Sequence, residues 1–444
     1  MKVYPRVLII GTVPYNLSSP SRAFDSYFHG WDKSCLAQIF SNRKKPEKGH
    51  CQHFYQITDE MLLRRLLSPR NEVGRIYDDS ELSAPGSSAV ATPSKKRKAT
   101  DVLYHLGNRQ TPLRFLLRKM LWRPRWWKTA KLEAWVESFA PEALFVSFSN
   151  DFFIFEIALY LAEKYDLPII SSTGDDYYFN SHFSLSPFYH IYRRQYRKLM
   201  SEIMARQGDI IYISDKIRDK YNSAFSREGK TMYLATEISP RPYRSIAKPP
   251  AIGYFGNIRF GRNEALATFA NEARKFDPGI VVDVYSNEQS AKYLRPLKKE
   301  KGIAFHGSIP YHQVASAMVR CDLLLIAEGF ERKDVLMTRY SLSTKTADCL
   351  SSGVLTMGFG SPECGVIEYL KSTNAAYVAT KREEIVPLLR VIYANEAQNA
   401  AFVMRAGELA VERYDRIKNA QRFYDIVVAA IASYDDKRGE EHAR

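Results

Sequence analysis

Short apolar segments alternate with longer helical patterns along most of this chain, in two successive series. A strand followed by a helix, repeated many times, is typical of a parallel sheet with helices on both faces. The proline-containing stretch 240–250 interrupts regular structure between the two series. The predicted strands are Val7–Ile10, Leu144–Phe148, Ile169–Ser171, Asp209–Ile213, Met232–Ala235, Ile252–Phe255, Val281–Tyr285, Ile303–His306, Leu323–Ile326, Val354–Met357 and Tyr377–Val378. The pattern therefore predicts an α/β protein with two doubly wound sheets.

Chain length also favours two domains, because 444 residues are too many for one ordinary core. We expect two Rossmann-like domains facing each other across a cleft, the first spanning residues 1–245 and the second 246–420. Residues 421–444 are expected to form a C-terminal helix and tail, which either crosses back to the first domain or caps the second. The Ser-, Ala- and Pro-rich segment 83–100 predicts a mobile surface loop. Such sheets bind ligands at the carboxyl ends of their strands, so the cleft is the expected site.

The stretch Ser341–Gly360 combines small hydroxyl residues, a lysine, an acid and a glycine before an apolar strand. Ser343 and Thr344 predict the capped start of a helix, where unpaired N–H groups attract anions. Lys345 adds a full positive charge. Asp348 follows one turn later, where an acid can bind a ribose hydroxyl. Together these residues predict a binding site for a nucleoside diphosphate.

A glycine-rich segment, 253–263, follows the first predicted strand of the second series. Its glycines allow the backbone to approach a ligand closely, and an arginine can bind phosphate with a fork of donors. Gly256 and Asn257 form the predicted turn. Either Arg259 or Arg262 is the candidate phosphate ligand.

Other polar residues and glycines follow further predicted strands, at the edge where a ligand is expected. Gly11 follows the first strand of the chain, and Gly360 follows a later one, where it could line a sugar pocket. Glu328 stands at the end of another strand. Asp175 and Asp176 could orient an acceptor hydroxyl or transfer a proton, or simply begin a helix or turn. The acceptor-side candidates are Arg22, Asp175 and Asp176.

The second series resembles the donor-binding half of retaining GT-B glycosyltransferases of the glycosyl transferase group 1, or family 4, type. That family has a Lys, an acid, two apolar residues, a small residue and Gly before a buried strand. The corresponding positions here are Lys345, Asp348, Cys349-Leu350, Ser352-Gly353 and Val354-Leu355.

The chain departs from the family pattern in three places. The family usually has Glu at the position of Asp348, and its usual Gly-Arg pair is Gly256-Asn257 here. Its Glu-Gly-Phe segment corresponds to the segment that begins at Glu328. The two acids are twenty positions apart instead of the usual eight, because the insertion 331–340 intervenes.

The resemblance implies a nucleotide-sugar-dependent glycosyltransferase that retains anomeric configuration and needs no metal or other cofactor. We expect the acceptor to be a glycan or, because of the basic aromatic segment 114–128, a lipid-linked molecule, in cell-surface polysaccharide or glycolipid synthesis. The implied catalytic residues are Glu328, Lys345, Arg259 and Arg262. The implied donor contacts are Gly11, Gly256, Asn257, Ser343, Thr344, Asp348 and Gly360.

The net charge of +15 attracts polyanions such as anionic lipid or nucleic acid. The segment 114–128 holds six basic residues, no acid and three of the five tryptophans. This composition is typical of the headgroup region of an anionic bilayer, although a helix packed on the core is the plainer interpretation. The predicted membrane contacts are Trp122, Trp126 and Trp127. A non-enzymatic nucleic-acid-binding protein is the alternative function, but no recognised nucleic-acid module accompanies the charge, so we expect no nucleic-acid partner.

The sequence also predicts a cellular location. Its five cysteines form no CxxC pair, as expected of a reduced chain. It contains neither a signal-peptide pattern nor an apolar run of about 18 residues. We therefore expect a cytoplasmic protein that can also bind peripherally to the cytoplasmic face of the membrane.

Overall fold

The computed structural model describes residues 2–16, 21–84, 111–181, 183–206 and 208–442. These residues form two domains, each built around a sheet whose two faces are buried in separate apolar cores. The predicted α/β architecture with two parallel-sheet domains is therefore confirmed. The loop predicted at 83–100 lies outside the described residues, apart from its first two positions.

The first sheet contains eight strands among the described residues, and all neighbours are parallel except the pair at one edge. The strands are β1 (Val7–Ile10), β2 (Leu36–Phe40), β3 (His53–Gln56), β4 (Arg75–Tyr77), β5 (Ala143–Ser147), β6 (Ile169–Thr173), β7 (Ile210–Tyr212) and β8 (Lys230–Thr231). They are arranged β4-β3-β2-β1-β5-β6-β7-β8, with β4 antiparallel to β3. The helices are α1 (Arg22–Phe28), α2 (Asp59–Leu67), α3 (Pro112–Leu121), α4 (Pro124–Trp127), α5 (Ala130–Phe139), α6 (Phe152–Tyr165), α7 (Pro187–Ala205) and α8 (Asp215–Phe225).

The second sheet is parallel throughout its described length. Its strands are β9 (Ile252–Phe255), β10 (Val282–Tyr285), β11 (Ile303–Gly307), β12 (Leu323–Ala327), β13 (Leu355–Phe359) and β14 (Tyr377–Ala379). They are arranged β11-β10-β9-β12-β13-β14. The helices are α9 (Arg262–Phe276), α10 (Ala291–Lys299), α11 (Tyr311–Met318), α12 (Arg332–Thr338), α13 (Thr344–Ser351), α14 (Gly365–Thr373), α15 (Ile385–Ala394), α16 (Glu396–Leu409) and α17 (Arg416–His442).

Strand β1 shows why the central strands are apolar along their whole length. Leu8 and Ile10 pack into the core on one face of the sheet, and Val7 and Ile9 pack into the core on the other. Successive side chains of a strand point to opposite faces, so a strand covered on both sides must be apolar at every position. The run Val-Leu-Ile-Ile is therefore typical of the centre of a parallel sheet.

The last helix, α17, returns from the second domain to the first. Its Phe423 is fully buried and stacks on Tyr27 of α1 with ring centroids 5.1 Å apart. The same ring meets Phe28 at 4.8 Å and Phe145 of β5 at 5.4 Å. The C-terminal helix therefore crosses back to the first domain, which was one of the two arrangements expected from the sequence.

The predicted strands differ from the structure in two ways. The strand predicted at 232–235 lies earlier in the chain, as β8: the Met232 N–H still donates to the Tyr212 carbonyl of β7, but the Ala235 N–H donates to the Ser26 hydroxyl of α1. In addition, β2, β3 and β4 were not predicted, since β2 and β3 contain polar residues. Gln38 in β2 is buried, and its amide binds the loop after β1 by accepting from the Tyr15 N–H and donating to the Val13 carbonyl.

The prediction that Trp122 and Trp127 contact a membrane is wrong. Both rings are fully buried in the core of the first domain. Trp122 stacks on Phe153 with centroids 3.8 Å apart, and the Trp127 indole N–H donates to the Trp122 carbonyl. Trp126 is partly buried and also packs on this core. Among the described residues, no helix has both the length and the apolar content needed to cross a bilayer.

Replacing Phe423 by Ala should destabilise the protein by about 3–5 kcal/mol, because the change leaves a cavity among packed aromatic rings. The measurement is equilibrium unfolding in denaturant. Val428→Ala is the matched control: Val428 lies on the same helix but is 39% exposed, so its loss should cost less than about 0.5 kcal/mol. Equal effects of the two changes would show that α17 does not contribute to the aromatic core.

Candidate functional site

A cavity of about 620 Å³ opens at the carboxyl ends of β9, β10 and β11. Ligands bind at this edge of a parallel sheet, beside the strand where the connection order reverses. Here that strand is β9, which lies between β10 and β12. Three predicted residues line the cavity: Gly256, Asn257 and Arg259. The remaining lining residues are Phe255, Tyr285, Ser286, Asn287, Glu288, Ser308, Ile309 and Val314.

The wall of the cavity is aromatic on one side and charged on the other. The Tyr285 ring stacks on both Phe255 and His306, each with centroids 4.8 Å apart, so its orientation is fixed. On the charged side, the half-exposed Arg259 pairs with the buried carboxylate of Glu288. Hydrogen bonding to Arg259 lowers the pKa of Glu288 below its usual range. The carboxylate is therefore ionised and holds the guanidinium at the cavity wall.

Lys345 lies beside the glycine-rich turn. Its Nζ donates to the Tyr254 hydroxyl at 2.8 Å, and that hydroxyl donates to the Asn257 carbonyl at 2.5 Å. Gly256 has φ of +127°, and a Cβ there would lie 2.6 Å from Lys345 Cδ. Only glycine therefore allows the lysine stem to pass this close to the turn.

Burial lowers the pKa of Lys345 to about 7, and the nearby Arg262 guanidinium adds to this effect. The buried Glu328 carboxylate acts in the opposite direction but does not cancel it. A lysine pKa near neutrality means that the protein destabilises the protonated amine. Such lowered lysine pKa values are common at functional sites. An anion at this place would restore the charged form.

Arg262 and Glu328 form a buried bidentate pair, with N–O distances of 3.0 and 2.8 Å. Arg262 is the first residue of α9, and Glu328 follows β12, so the pair joins the loops after two adjacent strands. Gly360 makes room for it: a Cβ on Gly360 would lie 2.7 Å from that of Glu328. Both candidate arginines pair with a carboxylate, but Arg259 lines the cavity and is half-exposed, whereas Arg262 is buried against Glu328.

Asp348 is bound across the cleft by the first domain. Arg22 of α1 donates to both carboxylate oxygens at 2.7 and 2.5 Å, and to the Thr344 carbonyl at 3.1 Å. The Thr236 hydroxyl, in the connection between the domains, donates to Oδ1 at 2.6 Å. The predicted ribose ligand is thus also the centre of an interdomain ion pair, and the predicted acceptor-side Arg22 is its partner.

The insertion 331–340 contains α12 and crosses to the first domain. Arg339 lies 3.7 Å from the Asp176 carboxylate, and Ser341, just after the insertion, donates to Asp175 at 2.5 Å. The Ser214 hydroxyl at the start of α8 donates to the Tyr340 carbonyl at 3.1 Å. Asp175 and Asp176 therefore face this crossing segment, and Asp176 is buried.

The other predicted residues lie around this centre. Ser343 precedes α13 without capping it through its side chain, and Thr344 begins the helix and is exposed. Lys345 is therefore the second residue of α13 and lies in its first turn. Gly11 lies at the end of β1 in the first domain, where its N–H donates to the Ile39 carbonyl at 3.0 Å.

Sequence reasoning missed several residues that shape the site. Tyr254 positions Lys345, Tyr285 forms the aromatic wall, and Glu288 holds Arg259. A signal existed for Tyr254, because it is a hydroxylated ring in an otherwise apolar strand. In residues 2–16, 21–84, 111–181, 183–206 and 208–442, no three His, Cys, Asp or Glu side chains come together as a metal ion would need.

The arrangement of the two domains matches a known fold. Two parallel-sheet domains with a cleft between them, and a last helix that crosses back, form the GT-B fold. Neither a protein-family model nor a curated protein sequence matches the chain. The comparison with known proteins therefore concerns the fold alone.

Solved structures show the same fold. The chain is similar to sucrose-phosphate synthase from Thermosynechococcus elongatus, with a TM-score of 0.57 and 8% identity over 96% of this chain and 100% of that one. It is also similar to Anabaena HepE in complex with UDP, with a TM-score of 0.57 and 11% identity over 96% and 100% of the two chains. HepE in complex with UDP-glucose gives a TM-score of 0.53 at 11% identity, with the same coverage. These similarities establish the GT-B fold of this chain.

The Arg22–Asp348 pair should stabilise the protein measurably, because both side chains are largely removed from water and belong to different domains. A double-mutant cycle of Arg22→Met and Asp348→Asn should give a coupling free energy of about 1–3 kcal/mol in denaturant unfolding. The exposed pair Arg405–Glu408 is the control, with an expected coupling below about 1 kcal/mol. Equal couplings would contradict a role of the pair in joining the domains.

Proposed function

We propose that this chain is a nucleotide-sugar-dependent glycosyltransferase. It moves a sugar from a nucleoside-diphosphate donor to a glycan or lipid-linked acceptor, with retention of anomeric configuration and without a metal ion. The observation that carries the proposal is the placement of Lys345: a lysine with a pKa near 7 lies between a helix start and a glycine turn at the edge of a cavity. Retention and the absence of a metal follow from the resemblance of the Lys345–Leu355 segment to the group 1 transferases.

The donor would bind along the carboxyl edge of the second sheet. Its base occupies the cavity beside Tyr285, and its diphosphate lies at the Gly256 turn and the start of α13, within reach of Lys345. Backbone N–H groups at a helix start and a lysine are suited to a diphosphate. Since HepE is known with bound UDP, uridine diphosphate is the first nucleotide to test.

Departure of the nucleoside diphosphate builds negative charge on the phosphate oxygens. Preorganised donors at that place lower the barrier because they need no reorganisation during the reaction. Lys345 and the N–H groups of α13 supply this stabilisation. Arg259 faces the cavity and contributes once it turns from Glu288 to the phosphate.

Glu328 and Arg262 have a positioning role in this scheme. Their buried ion pair fixes the loop after β12 and adds positive potential beside Lys345. The transferred sugar would lie on the cleft side of the two loops that this pair and Gly360 hold together.

The interdomain ion pair leaves Asp348 an acceptor position for a ribose hydroxyl, which would reach the buried side chain when the cleft opens. Among the described residues, Oδ1 receives hydrogen bonds from Arg22 and Thr236, whereas Oδ2 receives one from Arg22. A carboxylate oxygen has two acceptor positions. Oδ2 therefore has a position left for the ribose.

The acceptor would approach from the first domain, where Asp175 and Asp176 meet the insertion. We place the reaction in the synthesis of a cell-surface polysaccharide or glycolipid, in the cytoplasm and at the membrane face. The positive charge of the chain and its basic segment 114–128 support an acceptor that is anionic or carried by a membrane.

The proposal is tested by measuring nucleoside-diphosphate release from a panel of nucleotide sugars, with and without cell-envelope extracts as acceptors. Release from one donor that rises with acceptor supports transfer. A protein that binds oligonucleotides tightly and ignores every nucleotide sugar would instead be the non-enzymatic nucleic-acid-binding alternative.

Replacing Lys345 by Ala should raise the barrier to transfer by about 2–4 kcal/mol, a loss of roughly 30- to 1000-fold in turnover, because one preorganised donor is removed. Steady-state kinetics with the active donor provide the measurement. Lys371→Ala is the control, since Lys371 is exposed on α14. An unchanged rate in a folded Lys345→Ala variant would exclude the role.

Binding of UDP should take up a proton at about pH 8, because the free amine of Lys345, with its pKa near 7, is mostly neutral there and becomes charged beside the diphosphate. UDP affinity should fall as pH rises above about 7 and change little below it. Calorimetry in two buffers with different ionisation enthalpies counts the protons. Lys345→Arg should keep the affinity and abolish the uptake; uptake that persists would point to another group.

A further inference from the structure

An apolar groove of about 580 Å³ lies on the surface of the first domain, between α3 and α7. We call it the α3–α7 groove. Leu117 and Met120 of α3 line it and are 56% and 57% exposed. From α7, Phe188 and Ile191 line it and are each 45% exposed. Monomeric soluble domains seldom leave so many large apolar side chains together in water, so the groove marks an interaction surface.

Helix α3 is apolar on two faces. Its Phe115 faces inward and stacks on Tyr192 of α7 with ring centroids 5.2 Å apart. Leu113, Leu117 and Met120 follow at helical spacing on another face, and all three are exposed. The inner face already packs α3 on the domain. The outer face adds nothing to that packing, so it is available to a partner.

Basic residues outnumber acids at the groove and on the helices beside it. Arg123 lines the groove. Arg125 and Lys128 are exposed just after α3, and Arg194 and Lys198 are exposed on α7, where Lys198 lies 3.9 Å from Glu202. One acid, Glu156, lines the groove itself, and it lies 3.7 Å from Lys119. The surface therefore combines an apolar floor with a positive rim.

We propose that the α3–α7 groove docks this protein on an anionic lipid bilayer. Leucine, methionine and phenylalanine side chains can enter the acyl boundary, while arginines at the rim reach the lipid phosphates. A second copy of the chain is disfavoured as the occupant. A symmetric dimer through this face would bring the same positive rim against itself.

The position of the groove suits a surface-bound enzyme. The loop that leads into α7 starts at the carboxyl end of β6, and its Asn180 contacts Met337 of α12 in the second domain. This loop also carries Phe183 and Leu185, which are 90% and 88% exposed. The groove therefore begins beside the opening of the cleft between the domains. Docking would bring this opening close to the lipid headgroups. Docking itself does not depend on the proposed transfer reaction.

The test is flotation of the full chain with phosphatidylcholine vesicles that contain about 30% phosphatidylglycerol, measured without donor at an ionic strength of about 0.1 M. The protein should float with these vesicles, remain in solution with pure phosphatidylcholine, and dissociate as salt is added. Leu117→Ser/Met120→Ser should weaken binding at least about tenfold. The matched control is Met404→Ser/Ile417→Ser, which alters exposed side chains of the second domain and should leave binding unchanged.

A second variant removes charge without altering apolar packing. Arg123→Gln/Arg125→Gln should weaken binding about fivefold for each arginine, whereas Arg295→Gln/Arg390→Gln, at exposed positions elsewhere, should not. If the Leu117→Ser/Met120→Ser variant does not fold, the comparison of the two arginine variants decides whether the groove binds the bilayer.

Three results would overturn the proposal. They are a wild type that ignores anionic vesicles, arginine variants that bind like their controls, and a dimer in solution that Leu117→Ser/Met120→Ser dissociates while vesicle binding is absent. The last result would assign the groove to a second copy of the chain.

Discussion

The unequal pairing of two neighbouring cations governs the site. Arg262 has its charge balanced by a buried carboxylate, whereas the amine of Lys345 donates to a neutral phenol and is partly deprotonated at neutral pH. A buried charge without a partner is costly, and a second positive charge beside it increases the cost. The local structure therefore favours an anion next to Lys345. The glycine turn and the start of α13 lie beside Lys345, where their backbone N–H groups could donate hydrogen bonds to the oxygens of such an anion.

Besides the chain connection, the described parts of the two domains are joined at several places, three of which differ in character. The Arg22–Asp348 ion pair spans the cleft near the site, the insertion 331–340 spans it at the loop after β6, and α17 packs its aromatic face on the first domain. Two of these links are polar and lie in the cleft, so ligands can compete with them. The third is apolar and remote, so it can hold the domains together while the polar links rearrange.

The sequence predicted the fold well where a strand is buried on both faces, because such strands are apolar at each position, as in β1 and β9. It failed at β2 and β3, where buried glutamines bind loop backbone and break the apolar run. It singled out Lys345, Gly256 and Asp348 as candidates because short motifs carry their chemistry, and their roles in donor binding stay predictions. Pairs such as Arg262 with Glu328, which are 66 positions apart, depend on strand order and could not be predicted from spacing. The prediction that the tryptophans contact a membrane was wrong because composition alone does not reveal which face of a helix is buried.

The aromatic contact of α17 has a consequence for biosynthesis. Phe145 belongs to the first domain, but its partner Phe423 leaves the ribosome only after the whole second domain has been made. At ordinary rates of translation this interval lasts tens of seconds. During that time the nascent first domain exposes the patch that the last helix will cover. The first domain therefore cannot complete its core until the second domain has been made, and a chaperone that shields aromatic surface can bind the uncovered patch during this interval.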